Sequence, residues 1–595
     1  MAARSAEGPT NVTQSERDGG ATIGQVLAQN GVRALFTLCG GHISPILRGA
    51  KQHGIPVVDV RDEKHAVFAA DAVARLTGTV GVAAVTAGPG VTNTITAVKN
   101  AQMGESPVLV LGGATATVLK GRGSLQDIDQ QVLMKPITKW STVVKTVRSI
   151  GPTIEKAIKI AREGVPGPVF VELPVDVLYA EEIVSGWYMK EAGVENATSL
   201  GGKALGLYLK GHLYRQFNQP HIQLDLPTPE LPSLRDRDSQ VQKAADLLAH
   251  AEKPVLVVGS QALVGYTEAQ AKSLAAAVRT LGVPTFLGGM ARGLLGRHSE
   301  IQFRHKRSKA LRTADVVVIC GFPFDFRMGY GRSISSKAKI ISANLDARAL
   351  RKNRRPEMPL QMHPGAFLHE LAASAGSTGT RDAWFAELRE REAARDAEVL
   401  EQSKATGELI NPLDFFVKLE EKLDDDALLV VDGGDFVATA AYILRPRAPL
   451  RWLDPGVFGT LGVGGGFAVG AKVVHRDAEL WLIYGDGSSA YSLSEFDTCV
   501  RHGLAPIAVV GTDASWAQIA REQVEILEDD VGTVLLRTPY HTVAEGYGGV
   551  GLLLDDPRKI DETLDEAKAI AREGKPVLIN VQLRRSDFRK GSISI

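Results

Sequence analysis

The chain contains few cysteines, and they are far apart. Its 595 residues include only Cys39, Cys320 and Cys499, with no CxxC pair among them. This pattern excludes a disulfide scaffold and a zinc ribbon. A small number of unpaired cysteines fits a reducing compartment, so we expect a cytoplasmic protein.

The chain also lacks a surplus of either charge and a long apolar run. It has 68 Lys and Arg against 68 Asp and Glu, so its net charge is zero. A balanced charge gives no general electrostatic reason to bind nucleic acid, and no nucleic-acid motif is present. No stretch approaches the roughly 18 or more apolar residues of a membrane span, so none is predicted.

What the chain does have is a repeated α/β pattern. Short β-branched runs alternate with helix-like segments in three series, which start near residues 23, 253 and 426. Such alternation is typical of parallel sheets covered by helices on both faces. The predicted fold class is therefore α/β, with three doubly wound parallel-sheet domains.

Composition shifts predict the boundaries of these domains. We expect a flexible tail (1–20), a first domain (21–184), a linker or insertion (185–240), a central domain (241–375), a linker that is partly a solvated helix (376–408), a third domain (409–580) and a C-terminal tail or lid (581–595). Apolar and basic residues alternate at near-helical spacing in 201–220. This favours a surface helix of the insertion, the alternatives being a membrane surface or a contact with another subunit.

Two acidic residues follow neighbouring strands of the third series. The strand LWLIY runs into Gly485-Asp486-Gly487-Ser488, and the strand APIAVVG ends at Thr512-Asp513. Open α/β sheets bind ligands at the carboxyl ends of their strands, where glycines and free N–H groups suit a phosphate and carboxylates suit Mg²⁺. The alternative is that GDG is only a tight turn between strand and helix.

The spacing from Gly485 to Asp513 resembles the diphosphate-binding motif of thiamine diphosphate enzymes, in which a pair of Asn residues follows GDG. Thr512-Asp513 stands at this pair. The resemblance implies Mg²⁺ ligands at Asp486, Asp513 and the carbonyl of Ser515, with thiamine diphosphate as cofactor. Asp in place of Asn departs from the motif but keeps an oxygen ligand.

Further segments resemble the same family. VRDEKHAVFAADAVAR (60–75) matches the segment of the cofactor-activating glutamate, which implies that role for Glu63, the alternative being an ordinary acid at a helix start. VTAGPGVTN matches the neighbouring turn, and FGTLG matches the segment whose apolar side chain supports the cofactor. The resemblance thus implies that the cofactor contacts the following residues: Glu63, Gly88, Pro89, Gly433, Gly434, Asp435, Gly459, Leu461, Gly485, Asp486, Gly487, Ser488, Asp513, Ser515 and Trp516.

The chain is broadly similar to acetolactate synthase but departs from it where that enzyme selects its substrate. Leu125 replaces a Phe, and VDGGDFVATAAY replaces a segment with Gln-His. FTLCGGHISP, GGMARGLLG, LRWLDPG and DFRKGSISI instead resemble acetolactate-synthase-like proteins grouped with 2-hydroxyacyl-CoA lyases. That resemblance implies cleavage of the C1–C2 bond of a 2-hydroxyacyl-CoA to formyl-CoA and an aldehyde or ketone, in a reversible reaction.

Two sets of residues are candidates for substrate contacts. Besides Glu63, the side chains expected to border the substrate are His42, Leu125, Gln126, Glu495 and Trp516. The alternatives are that His42 caps a helix, that Leu125 is apolar filler and that Glu495 is an exposed helix residue. The CoA or ADP moiety is expected at strand ends of the central domain, at Gly259, Ser260, Gln261, Arg292, Asp325, Arg327, Asn344 and Asp346, the alternative being that this domain has lost its ligand.

The family resemblance also concerns assembly. In this family the cofactor lies between the first domain of one subunit and the third domain of another, which implies a homodimer or homotetramer. Two other functions stay open: an acetolactate-synthase-type carboligase or decarboxylase of 2-oxoacids, and a catalytically silent binding protein with the same fold. Retention of Glu63, Asp486 and Asp513 disfavours the silent protein.

Overall fold

The computed structural model describes residues 18–217, 238–375 and 381–590. Over these residues the strands form three six-stranded sheets in which all neighbours are parallel. Helices cover the faces of the sheets, and the predicted class of three doubly wound α/β domains is confirmed.

The first sheet has the order β2-β1-β3-β4-β6-β5. Its β4 is buried along its whole length, as expected for a strand with helices on both sides. The elements of this part are α1 (Gly19–Gln29), β1 (Leu35–Leu38), α2 (Ser44–Gln52), β2 (Val57–Asp59), α3 (Glu63–Thr77), β3 (Gly81–Val85), α4 (Pro89–Thr92), α5 (Ile95–Met103), β4 (Val108–Ala114), α6 (Gln130–Met134), β5 (Trp140–Val143), α7 (Ile150–Arg162), β6 (Val169–Pro174), α8 (Glu181–Glu191) and α9 (Leu200–Phe217).

The central sheet has the order β12-β11-β10-β7-β8-β9. Its middle strand β10 is the buried run VVVIC, whose β-branched residues suit a covered strand. The elements are α10 (Asp238–Ala249), β7 (Val255–Val258), α11 (Glu268–Leu281), β8 (Thr285–Leu287), β9 (Gln302–Phe303), α12 (Arg307–Thr313), β10 (Val316–Cys320), β11 (Lys339–Asn344), β12 (Met358–Gln361), α13 (Pro364–Ala375) and α14 (Asp382–Ser403).

The third sheet has the order β14-β13-β15-β16-β18-β17. The three strands whose ends carry the predicted site, β13, β15 and β16, are therefore neighbours. The elements are α15 (Pro412–Lys422), β13 (Leu428–Asp432), α16 (Asp435–Ile443), β14 (Trp452–Leu453), α17 (Val463–Val474), β15 (Leu480–Gly485), α18 (Asp486–Ser489), α19 (Glu495–His502), β16 (Ile507–Thr512), α20 (Ala517–Leu527), α21 (Tyr540–Gly546), β17 (Val550–Leu554), α22 (Ile560–Arg572) and β18 (Val577–Gln582).

Two helices join the first and third domains within the chain. α3 begins at its N-cap Asp62, whose side chain accepts from the Lys64 N–H, and it packs against the glycine-rich α17. A Cβ on Gly466 would lie 2.6 Å from Phe68 Cβ, and one on Gly470 would lie 2.3 Å from the Ala69 carbonyl oxygen. The glycines of α17 are therefore required for the close approach of the two helices.

The structure corrects two local expectations. Residues 18–20 do not belong to a tail, because Asp18 caps α1 and Gly19 and Gly20 are buried. The helix predicted after GDG is split into the short α18 and a separate α19. The expected surface helix of the insertion is α9, and that of the second linker is α14; residues 1–17, 218–237, 376–380 and 591–595 lie outside the described residues.

Within the described part of the chain, no helix combines the length and apolar character needed to cross a bilayer.

Candidate active site

Four carboxyl groups lie at the carboxyl ends of β13, β15 and β16. They belong to Asp432, Asp435, Asp486 and Asp513, and we call this group the acidic edge. Because the three strands are adjacent and parallel, the predicted Gly433, Gly434 and Asp435 meet Gly485, Asp486, Gly487 and Ser488 at one end of the sheet. The contact between Ser488 and the β13 end is direct, since the Ser488 hydroxyl donates to the Asp432 carbonyl at 2.8 Å.

Asp486 is held in place by backbone groups. Its Oδ1 accepts from the Gly487 N–H at 2.9 Å and its Oδ2 from the Ala514 N–H at 2.8 Å. Burial raises the pKa of Asp486. Burial and the nearby Asp486 charge raise the pKa of Asp513 to about 7. The buried Asp486 and the half-buried Asp513 oppose each other's ionisation, and together they form a donor set suited to a divalent cation.

Ser515 and Trp516 complete this side of the edge. The Ser515 N–H donates to Asp513 Oδ1 at 3.1 Å, and the Ser515 hydroxyl donates to the Thr533 carbonyl at 3.2 Å. The Trp516 ring lies on Gly487, where a Cβ would come within 2.5 Å of the ring carbon Cζ3. Gly487 is therefore required for the contact between the GDG turn and Trp516.

Asp432, which was not predicted from the sequence, connects the acidic edge to the loop of Gly459 and Leu461. The Asp432 carboxylate is fully buried and accepts from the Gly462 N–H at 3.1 Å and the Gly464 N–H at 2.9 Å. Burial raises its pKa to about 7, against the opposing effect of these two hydrogen bonds. Asp432 thus fixes the chain immediately after the half-buried Leu461, while Gly459 is exposed.

The first domain brings a second group of predicted residues together. Glu63 is nearly buried at the start of α3, and its Oε2 accepts from the Asn93 side-chain amide at 3.0 Å. The Gly88 N–H donates to Gln130 Oε1 at 3.0 Å, and Pro89 follows at the start of α4. Neither Asn93 nor Gln130 was predicted, although both lie within or beside motifs that the sequence already marked.

His42, Gln126 and Leu125 lie around this group. His42 Nδ1 is 3.3 Å from Thr86 Oγ1, and burial lowers the pKa of His42. His42 caps no helix, because α2 has Ile43 at its N-cap position. A Cβ on Gly88 would lie 2.9 Å from Gln126 Cβ, so Gln126 packs on the Gly88 turn, whereas the neighbouring Leu125 is 83% exposed.

Glu495 is not the exposed helix residue that was considered, since its side chain is only 2% exposed. Its Oε1 accepts from the Arg61 N–H at 3.0 Å and lies 2.7 Å from His65 Nδ1, and its Oε2 accepts from the Thr498 hydroxyl at 2.7 Å. Both oxygens are thus occupied by contacts at the junction of the first and third domains. These contacts give Glu495 a structural role at the junction, and its contact with a substrate stays a prediction.

The residues predicted for the nucleotide do lie at strand ends of the central domain. Gly259, Ser260 and Gln261 follow β7, Arg292 follows β8, Asp325 and Arg327 follow β10, and Asn344 and Asp346 end β11. Asp325 is engaged in an ion pair with Arg327 at 2.6 Å. Glu105 of the first domain contacts this edge, and burial together with the Asp346 charge raises its pKa to about 7.

Cations crowd a cavity of about 520 Å³ beside this edge. We call it the basic cleft, and it is lined by Arg292, Arg304, Lys306, Arg307, Lys309 and Arg312. Arg304 is paired with Glu392 and Asp396, but Arg307 forms no ion pair with a described residue. Burial and the charges of Arg292 and Arg327 lower the pKa of Arg307 to about 10. The cleft therefore carries positive charge that an anion would stabilise.

The C-terminal segment lies between the basic cleft and the acidic edge. A cavity of about 590 Å³ is lined by Asp513, Ser515 and residues 583–587, and a second cavity of about 670 Å³ by residues 584–588, His305 and Lys306. The second cavity shares His305, Lys306 and Tyr442 with the basic cleft. The three cavities thus follow one another from the acidic edge to the central domain.

Comparison with known families agrees with this arrangement. Residues 17–133 match the N-terminal binding domain of thiamine pyrophosphate enzymes, residues 241–371 the central domain and residues 432–581 the C-terminal binding domain. The chain belongs to the thiamine pyrophosphate enzyme family.

This chain is similar to proteins of the family over at least 94% of its length. It is 48% identical to 2-hydroxyacyl-CoA lyase 2 of Danio rerio over 590 residues, which cover 98% of this chain and 94% of the relative. It is 47% identical to 2-hydroxyacyl-CoA lyase 2 of Homo sapiens, with 98% and 92% covered. An acetolactate synthase large subunit of Mycobacterium tuberculosis is 32% identical, with 94% and 95% covered.

The acidic edge fits the cofactor of this family, thiamine diphosphate. Gly487 leaves no space for a side chain under Trp516, and Asp486 and Asp513 supply carboxylate oxygens at the start of the short α18. The backbone N–H groups and hard oxygen donors together suit a diphosphate and its cation.

Proposed function

We propose that this chain is a thiamine diphosphate-dependent 2-hydroxyacyl-CoA lyase. It would cleave the C1–C2 bond of a 2-hydroxyacyl-CoA to formyl-CoA and an aldehyde or ketone, and catalyse the reverse condensation. The observation that carries the proposal is the series of cavities from the acidic edge to the basic cleft, because a small 2-oxoacid needs no such extension. The near full-length similarity to proteins named 2-hydroxyacyl-CoA lyase 2 supports it.

The third domain would hold the diphosphate and Mg²⁺. Asp486, Asp513 and the Ser515 carbonyl would bind the cation, and the backbone N–H of Ser488 would face the phosphates. Leu461, fixed by the hydrogen bonds of Asp432, would support the cofactor rings. When bound, thiamine diphosphate supplies a carbon nucleophile and an electron sink for C–C cleavage.

Glu63 would exchange a proton with the bound cofactor. It is nearly buried, and the Asn93 amide orients one of its oxygens, so its other oxygen is available for that proton. His42, beside Thr86 and the Gly88 turn, is a candidate to accept or donate the proton of the substrate hydroxyl. Because burial disfavours its cationic form, His42 is suited to accept that proton near neutral pH.

The basic cleft would hold the phosphates of CoA. Arg307 and Arg327 both lie against the Phe322 ring, and their charges oppose each other in a buried place. Phosphate oxygens would relieve this repulsion through charge-assisted hydrogen bonds. The C-terminal segment, with Arg584 and Arg585, would cover the middle of the substrate as a lid.

A complete site would need two copies of the chain. Among the described residues, no hydrogen bond or ion pair joins the Glu63 group to the acidic edge. Family resemblance implies that the first domain of one subunit meets the third domain of another. We therefore infer a homodimer or homotetramer.

A product assay tests the proposal. Purified protein with thiamine diphosphate and Mg²⁺ receives 2-hydroxyisobutyryl-CoA, a straight-chain 2-hydroxyacyl-CoA or pyruvate, and formyl-CoA and acetolactate are quantified by mass spectrometry. We expect formyl-CoA from the wild type and a large loss in Glu63→Gln, with normal activity in the control Glu573→Gln, which changes a surface acid. Acetolactate as the main product would favour a synthase, and no turnover of any substrate would favour a silent protein.

A further inference from the structure

The inserted helix α9 has two apolar faces, and only one of them is covered. Leu209 and Leu213 on the inner face pack with Val184 and Tyr188 of α8 and with Ala116. The opposite face is exposed along the helix. A surface helix needs only one apolar stripe to pack on its own domain. The second stripe of α9 is therefore not explained by packing within the first domain.

Polar contacts hold the inner face rigidly on the first domain. The buried Asp176 carboxylate accepts from the Tyr188 hydroxyl at 2.5 Å and from the Gln216 amide at 2.8 Å. His212 Nε2 lies 2.9 Å from the Thr117 hydroxyl, which also donates to Asp176. These contacts fix the rotation of α9 about its own axis, so its outer face is presented in one orientation.

The outer face is a continuous apolar stripe. Leu200, Leu207 and Tyr214 are 88%, 73% and 63% exposed, and their seven-residue spacing places them on one line with Ala204 and Gly211 between them. Tyr208, 60% exposed, lies beside the stripe. Exposed apolar patches of this kind mark interaction surfaces.

The charges around the stripe identify the kind of partner. Lys203 and Lys210 lie on one side of it and Arg215 on the other, and α9 contains no Asp or Glu. None of these three cations forms an ion pair with a described residue. Long basic side chains beside an apolar stripe, with tyrosines at its border, are the features of helices that lie in the interface of an anionic bilayer.

We propose that the outer face of α9 binds the surface of a membrane that contains anionic lipids. The helix lies parallel to the bilayer, with Leu200, Leu207 and Tyr214 at the level of the acyl chains and Lys203, Lys210 and Arg215 among the headgroup phosphates. A second copy of the chain fits this face less well, because a two-fold axis on the stripe would bring like charges of the two helices together. The proposal goes beyond the lyase activity and does not depend on it.

Vesicle co-sedimentation of the full chain tests this inference. The probes are phosphatidylcholine vesicles alone and phosphatidylcholine vesicles with about one-third phosphatidylglycerol, each at low and high salt. We expect binding to the anionic vesicles at low salt and a marked decrease at high salt. Inorganic phosphate should not compete, since a free anion does not replace the apolar contact.

Three variants separate the contributions of the apolar and the basic residues of α9 to vesicle binding. Leu207→Asp with Tyr214→Asp should weaken vesicle binding by roughly tenfold or more, because each places a charge at acyl-chain depth. Lys203→Gln with Lys210→Gln should weaken it by about fivefold for each lysine. The control Leu400→Asp alters a leucine on α14 that is 49% exposed, and this variant should bind as the wild type does. All variants should keep lyase activity and thermal midpoint.

Three results would overturn the inference, and the first two concern sedimentation. These are wild-type protein that stays in the supernatant with anionic vesicles at low salt, and a stripe variant that sediments as the wild type does. The third is a smaller assembly of the stripe variant by light scattering without any vesicle binding of the wild type, which would make this face a contact between copies.

Discussion

The central and third domains share one sheet architecture, yet their carboxyl edges have opposite chemistry. Both sheets are six-stranded and parallel, although their strand orders differ, β12-β11-β10-β7-β8-β9 in the central sheet and β14-β13-β15-β16-β18-β17 in the third. The third carries the acidic edge with Asp486 and Asp513, and the central one carries Arg307 and Arg327. The fold therefore selects where a ligand binds, while the loops after the strands select what binds.

Burial shifts pKa values at both edges, but in opposite directions. The pKa of Asp513 rises to about 7, and that of Arg307 falls to about 10. In each case a like charge nearby adds to the effect of burial. Both edges thus contain groups whose charge a ligand of opposite sign would stabilise, a cation at one and phosphates at the other.

Removal of a carboxylate from the acidic edge should have the largest effect. Asp486→Asn removes the negative charge of a proposed Mg²⁺ ligand, and we expect activity to fall by roughly 100-fold or more, with cofactor binding weakened. Calorimetric titration with thiamine diphosphate and Mg²⁺ measures the binding. Asp555→Asn, an exposed acid at the end of β17, serves as control; equal affinities in the two variants would contradict the assignment.

Removal of a cation from the basic cleft should have a smaller and different effect. Arg307→Ala should raise the KM for the acyl-CoA about tenfold and leave kcat within about twofold, since the phosphates lie far from the reacting bond. Steady-state kinetics measure both constants. Lys337→Ala on the exposed surface of the same domain is the control, and a lower kcat with unchanged KM would refute the role of the cleft.

Substitution of Asp432, which links the acidic edge to the loop of Leu461, should have a moderate effect on stability and cofactor affinity. In Asp432→Asn one oxygen can still accept from the Gly462 and Gly464 N–H groups, but the amide NH2 then replaces Oδ1, which lies 3.2 Å from the Gly462 nitrogen. This donor–donor contact should destabilise the third domain by about 1–3 kcal/mol. Cofactor affinity should fall as well, because the loop after Leu461 loses its anchor. Thermal melting with and without thiamine diphosphate checks this; a normal cofactor affinity would make Asp432 purely structural.

Substitution of Glu105, which contacts the carboxyl edge of the central sheet from the first domain, should have the smallest effect. This effect on thermal stability depends on pH. Because the folded state raises the pKa of Glu105 to about 7, folding favours its protonated form. The resulting stability is present below the unfolded pKa and is lost as pH rises towards 7. Glu105→Gln should therefore melt about 1–3 °C above the wild type at pH 8 and match it at pH 5. The same difference at both pH values would show that its charge is irrelevant.

The parts of the site that could be predicted are those carried by local patterns. GDG and Thr512-Asp513 each follow an apolar run, and a parallel sheet necessarily brings such ends together. Glu63 likewise follows from a helix start within a recognisable segment. Asp432 occupies the same kind of position as Asp486, so the same rule applied to β13 would have found it.

The parts that could not be predicted depend on contacts between distant segments. Glu495 reaches His65 across 430 positions of the chain, and nothing near either residue indicates the pairing. The basic cleft combines a cation-rich run around Arg307 with Arg292 and with residues 441–446, and it adjoins a second cavity lined by residues 584–588. Its local signal, the run FRHKRSKALR, is visible in the sequence, but its place beside the acidic edge is a property of the fold.

In the proposed function one substrate spans the acidic edge and the basic cleft. Two thioesters of the same acyl group, one long and one short, test this directly. Wild type and Arg307→Ala are each given a 2-hydroxyacyl group as the CoA thioester and as the short N-acetylcysteamine thioester, and kcat/KM is measured for all four combinations. We predict that the variant loses about tenfold with the CoA thioester and nothing with the short one. An equal loss with both thioesters would contradict the account, because the basic cleft would then not hold the nucleotide end of the substrate.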